Sequence, residues 1–166
     1  MIKKRIGTFM ISLAMMFGII STTNISINVR AEDIYTPIST ATELKAVSGN
    51  INYKLTKDIT LSGNWVPLEG FTGIFDGNGH VIKSLTVNAS TGYAGLFSEI
   101  NGATIKNLGI DSANITGTTG AGIFAGNTTG TVTLKNCYAI NSTVTGGIAG
   151  QELFGNIATP SNCYYN

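Results

Sequence analysis

Short bursts of alternation, rather than long amphipathic stretches, organise the chain. In Tyr53 to Leu61, the apolar residues Tyr53, Leu55, Ile59 and Leu61 largely alternate with polar ones, as a half-buried strand does. This segment reads as the first rung of a stack. In Ala103 to Gly117 the inward set is Ile105, Leu108, Ile110 and Ile115, and its counterparts one repeat later are Leu134, Cys137, Ala139 and Val144. The uneven steps within each set break strict alternation, so each rung is expected to be several short strands joined by bends. Strands that run in the same sense one turn above their predecessors pair in parallel.

Two independent marks carry the repeat. The first is Gly73-Ile74-Phe75, Gly95-Leu96-Phe97, Gly122-Ile123-Phe124 and the reduced Gly147-Ile148-Ala149, stepping by 22, 27 and 25 residues. The second is Ile82-Lys83-Ser84-Leu85, Ile105-Lys106-Asn107-Leu108, Leu134-Lys135-Asn136-Cys137 and the worn Pro160-Ser161-Asn162-Cys163, stepping by 23, 29 and 26. A period of this length built from short strands and glycine turns predicts a solenoid, whose units bury little alone and a continuous core when stacked. Gly117 and Gly146 fall at matching positions, as expected of a corner whose backbone conformation disfavours a side chain.

Ahead of the repeats, Thr40-Ala41-Thr42-Glu43 forms a capping box, in which a hydroxyl and a carboxylate satisfy each other's orphan amides. Leu44 and Val47 give the short helix an apolar edge, and Gly49 ends it. Its expected task is to cover the N-terminal end of the stack, where open strand edges would otherwise invite pairing. The domain reading is therefore a signal segment over 1–31, an N-terminal cap region over 32–52, and stacked repeats over 53–166, about five rungs in all.

The signal reading rests on Lys3, Lys4 and Arg5, an apolar run from Ile6 to Ile20, and small residues in Val29-Arg30-Ala31. The run is shorter than the roughly 20 residues that span a bilayer, so the segment reads as cleaved, with an uncleaved anchor as the alternative. Once it is set aside, six Lys and Arg face nine Asp and Glu, giving −3 rather than the formal +1. No basic stripe is left for nucleic acid. Charged residues are 11% of the chain, against roughly 25% in an average domain, so hydroxyls and amides must solvate the surface.

The stretch Trp65-Val66-Pro67-Leu68, then FTGIFDGNGHVIKSLTV from Phe71 to Val87, then GYAGLFSEINGATIKNLGIDSANITG from Gly92 to Gly117, closely resembles the bacterial GLUG-motif repeats. GAGIFAGNTTGTVTLKNCYAINSTVTGG from Gly120 to Gly147 fits equally well, and LTKDITL from Leu55 to Leu61 resembles the lead-in strand. The resemblance covers roughly 53–163. It implies a right-handed parallel β-helix in an exported, often cell-surface protein, and no known active site. The unit that opens at Gly147 degrades after Gln151, leaving no evident cap at the C-terminal end.

Candidate chemistry is sparse. His80, the single histidine, sits in Asp76-Gly77-Asn78-Gly79-His80, a turn in which Asp and Asn mimic the backbone and glycines supply positive φ. A general base needs a partner, and the sequence fixes none. One histidine without H-E-x-x-H does not make a usual catalytic zinc site. The carboxylates Asp58, Glu69, Asp76, Glu99, Asp111 and Glu152 are the candidates for a glycosidase pair; Asp58 and Asp111 are expected on strands at unmatched positions. DGNG lacks the spacing of a calcium loop. Cys137 and Cys163 hold equivalent places in successive rungs, which suits either a disulfide or a ladder of buried thiols. Tyr53, Trp65, Tyr93, Tyr138, Tyr164 and Tyr165 do not share one rung position and are read mainly as packing. Asn114-Ile115-Thr116 and similar triplets follow from composition.

Together these readings predict an all-β, exported, non-enzymatic β-helix module, secreted or on the cell surface, with a structural or adhesive role. No catalytic, metal or cofactor residue is assigned, and ligand-binding residues are left open. The expected partner is a surface glycan or protein, without nucleic acid and without a membrane span after signal cleavage, and with end-to-end self-association through the Tyr164-Tyr165 end. The alternatives are a carbohydrate-active enzyme or accessory domain and a truncated piece of a larger surface protein.

Overall fold

The computed structural model describes residues 34–146, 153 and 159–166. The signal segment, the Gly147-Ile148-Ala149 mark and Glu152 lie outside the described residues. Within them the chain is all-β with parallel sheets, and the one α-helix is Ala41–Leu44. Its capping box is present: Thr40 Oγ1 accepts from the Glu43 amide, and Glu43 Oε2 accepts from the Thr40 amide at 3.0 Å. Leu44 and Val47 are buried, and Gly49 turns the chain at φ 65°.

Successive repeats contribute one strand each to the same sheet. Sheet 1 runs through Thr36–Ile38, Tyr53–Leu55, Ile74–Asp76, Thr104–Lys106, Thr133–Lys135 and Thr159–Ser161, six strands where about five were expected. Sheet 2 runs through Ile59–Thr60, Val81–Lys83, Gly109–Asp111, Tyr138–Ile140 and Tyr164–Tyr165, and sheet 3 through Thr86–Asn88, Asn114–Thr116 and Thr143–Thr145. Every strand pairing among the described residues is parallel, as predicted from the repeat.

The inward register follows the sequence pattern. Ile105, Leu108, Ile110 and Ile115 are fully buried, with Leu134, Cys137 and Ala139 buried one repeat later and Val144 packed at the edge. Ile105 pairs with Leu134, Ile110 with Ala139 and Ile115 with Val144. Aromatic rings pack together within the core: Phe71 stacks on Phe97 at 5.1 Å, and Phe75 meets Phe97 edge-on at 5.9 Å. Such offset and edge contacts add stability beyond the area they bury.

Five expectations need correction. Tyr53 to Leu61 is not one strand: a turn splits it between sheets 1 and 2, because a bend after Leu55 lets Ile59 and Leu61 also face inward. The stack begins earlier, since Thr36–Ile38, inside the presumed cap region, pairs with Tyr53–Leu55. The first copies of both marks are also out of register. Phe75 pairs with Ile105 rather than with the Phe97 strand, which is bridged by Leu68, and Ile82 pairs with Ile110 rather than Ile105. A small residue followed by an inward aromatic suits more than one face of the stack, so local likeness there does not report alignment. Gly117 does not have positive φ; it is small because a Cβ would lie 2.7 Å from that of Ala94, whereas Gly146 does turn left-handed at φ 86°. Finally, Asp58 lies in the turn between strands, not on one.

Candidate functional site

The outer face of sheet 2 gathers most of the candidate chemistry. Alternation sends Ile82, Ile110 and Ala139 inward and leaves Val81, Gly109, Tyr138 and Tyr164 in one outward column, with Lys83 and Asp111 in the next. Tyr138 and Tyr164 are register partners, so the expectation that the aromatics share no position is corrected for this pair. The signal was present in the equivalent placing of Cys137 and Cys163, since each tyrosine directly follows one of those cysteines. Tyr165 faces the other way, against the core, and its hydroxyl donates to the Ser142 carbonyl. Tyr53 and Trp65 are buried, and the Trp65 indole donates to the Leu96 carbonyl at 3.1 Å.

Tyr138 reclines across Gly109. A Cβ at Gly109 would come within 2.5 Å of the ring's Cζ and Oη, so only glycine lets the ring lie on the backbone. Tyr164 continues the column and is 56% exposed.

Toward the other end of the same sheet lies a polar group that sequence reasoning did not assemble. Asp58 accepts from Lys83 Nζ at 3.0 Å and from the Val81 amide at 3.1 Å, and its Oδ1 lies 3.4 Å from His80 Nδ1. His80 is thus in the turn predicted for it, its amide donating to the Gly77 carbonyl, but it also has a carboxylate neighbour. Within that turn Asn78 and Gly79 have positive φ, at 53° and 81°, and Gly77 does not; Gly77 is needed because a Cβ would strike the Asn107–Leu108 backbone at 2.5 Å. The Lys83 hydrogen bond holds the Asp58 carboxyl below the ordinary range, and the same bond raises Lys83. Asp111 is likewise lowered, chiefly by the Asn141 amide at 3.0 Å and then by the Ser112 hydroxyl at 2.9 Å. Thr60 and Asp111 both align with Lys83, and Asp58 comes two residues before Thr60, so the two carboxylates are out of register, as expected.

The other carboxylates are scattered. Asp76 is buried, accepting from the Asn78 amide and the Asn107 side chain, with Lys106 Nζ at 3.6 Å. Glu99 accepts from Asn127, and Glu69 borders a separate surface cleft with Lys45 and Val66. No group of three or more His, Cys, Asp or Glu among the described residues could hold a metal ion. Both cysteines are free thiols, and burial pushes Cys137 up to about 12.

The architecture thus defines an all-β, parallel-sheet protein with repeat-related strands. In sequence it is similar to halomucin of Haloquadratum walsbyi, at 32% identity over 142 residues. The match takes in 73% of this chain and 2% of halomucin, so the chain spans a small fraction of that relative. No family model matches the chain, and no solved structure matches it. No helix among the described residues is long and apolar enough to cross a membrane.

Proposed function

We propose that this chain is an exported, non-enzymatic module of GLUG-type repeats, folded as a parallel β-helix, that serves as a structural and binding element at the cell surface or outside the cell. The observation that carries the reading is the inward column Phe75, Ile105, Leu134, continued from strand to strand in parallel register. A stack of this kind presents long, regular outer faces, which is how solenoids bind extended partners. The likeness to a short stretch of halomucin is compatible with a structural module at the cell surface. The sequence resemblance to GLUG repeats and the signal-like leader point the same way. Fractionation of the producing cells, with a glycan and host-protein binding screen of the purified protein, tests this. Retention in the cytosol together with no partner in the screen sinks it.

A second reading, a carbohydrate-active enzyme or accessory domain, is favoured by the contact between His80 and Asp58. Release of reducing ends from polysaccharides, abolished in Asp58→Asn, would establish it.

A further inference from the structure

We propose that the outer face of sheet 2 is a saccharide site, with Tyr138 and Tyr164 stacking on two successive sugar rings and Asn141, Asp111 and Lys83 bonding hydroxyls further along the chain. The proposal rests on the binding-module reading and names its ligand: an uncharged, extended β-1,4-linked hexopyranose chain.

Three observations lead there. First, the two tyrosines stand in the same outward column, one strand step apart, or about 4.7–4.9 Å. A ligand lying along the stacking direction therefore meets aromatics at two successive steps. The negative face of a tyrosine ring suits the apolar, slightly positive C–H face of a pyranose. Second, the tip of the Tyr138 ring is seated against the Gly109 backbone, so the aromatic is held in place beforehand and little side-chain freedom is lost on binding. Two aromatics in one straight column suit an extended chain better than a coiled one. Third, the polar neighbours are held in place before any ligand arrives: Asp111 by Asn141 and Ser112, Lys83 by Asp58. Two carboxylates against one lysine leave no cationic surplus, which disfavours acidic polysaccharides and nucleic acid. Pockets and clefts that recognise sugars by hydroxyls need a few fixed donors and acceptors around an apolar floor, and this face supplies both.

The test is calorimetric titration of the purified full-length protein with cellohexaose and with chitohexaose. At least one should bind saturably, and Tyr164→Ala should weaken it by about tenfold, as loss of a central aromatic contact does. Tyr138→Ala should do the same, while Lys135→Ala on sheet 1 should leave binding unchanged. Tyr164 is largely exposed, so its variant keeps the test valid should Tyr138→Ala unfold. Binding of neither hexaose, or binding indifferent to Tyr164→Ala with melting unaltered, overturns the site. A protein partner found in the screen, with neither hexaose bound, would leave the module reading standing and remove this one.

Discussion

Asn136 donates its side-chain amide to the Asn107 side-chain oxygen at 3.1 Å, one strand step below, and both residues have left-handed backbones at φ 53°. The chain of amides extends in both directions: Asn162 donates to Asn136 at 2.9 Å, and Asn107 donates to the buried Asp76 at 3.0 Å. Each asparagine does two things at once. It tolerates a conformation that costs most residues about 1–2 kcal/mol, and it satisfies its neighbour's polar group.

Asn136→Ala should therefore destabilise the protein by about 2 kcal/mol, combining the left-handed penalty with one or two lost hydrogen bonds. Asn136→Gly should cost less, since it relieves the backbone and loses only the amides. Denaturant melts of the two variants check the order; equal losses would mean that the ladder, not the backbone, carries the effect.

Much of this arrangement was legible in the chain. The second mark, apolar-polar-Asn-Leu or Cys, contains the ladder asparagines at 107, 136 and 162, and its spacing gave the true stacking step for those three copies. The earliest copies misled. Ser84 also has positive φ, at 59°, but it stacks with Ser112 and not with Asn107. A left-handed Ser or Asn after an outward residue recurs at two corners of the repeat, and a single sequence does not tell one corner from the other. The platform on sheet 2 stayed hidden for a different reason. Asp58 reaches Lys83 from a turn, and Gly109 matters only because Tyr138 lies above it. Both are contacts between repeats that spacing within one repeat does not report.

Ile105→Asp should abolish the cooperative fold. Ile105 is fully buried between Phe75 and Leu134, and an unpaired carboxylate there costs several kcal/mol against a total stability of about 5–15. Circular dichroism should show the loss of strand signal, and a cooperative melt at the original temperature would contradict the inward register.

Gly77→Ala should be clearly destabilising despite its small size. The added methyl would lie 2.5 Å from the Asn107 carbonyl oxygen and the Leu108 Cα, so backbone of the next repeat must move. Overpacking of this kind costs about 1–3 kcal/mol or more. Gly79→Ala, with open space around it but φ 81°, should show only the left-handed penalty. A larger melting loss at 79 than at 77 would show that the close approach is not tight.

Acid should weaken the protein through identifiable carboxylates. Asp58, Asp111 and Glu43 are all lowered in the fold, by Lys83, by Asn141 and by the Ser39 amide respectively. A lowered folded-state value means the stabilisation is fully present above the ordinary carboxylate range, about 4, and is lost as pH falls through the folded values. Melting temperature should thus hold steady from neutral pH to about pH 5 and fall below about pH 4. Asp58→Asn should flatten part of that decline, and a decline identical to that of the parent would assign it to the other carboxylates.

The two thiols should differ sharply in reactivity although they stack in register. Only the thiolate attacks an alkylating reagent, and Cys137, buried and pushed up to about 12, supplies very little of it at pH 8. Its Sγ also sits against the carbonyl oxygens of Ile105 and Lys135, so reagent must open the stack to reach it. Cys163 makes the matching contacts to Leu134 and Ser161 but is only half-buried, with no later strand of sheet 2 above its neighbour Tyr164 among the described residues. In native buffer iodoacetamide should label Cys163 first and leave Cys137 unmodified until denaturant is added, as intact-mass measurement with peptide mapping would read. Equal native rates would mean that the Thr133–Ile140 region opens as readily as the final strands, and that the stacked core does not extend as far as Cys137.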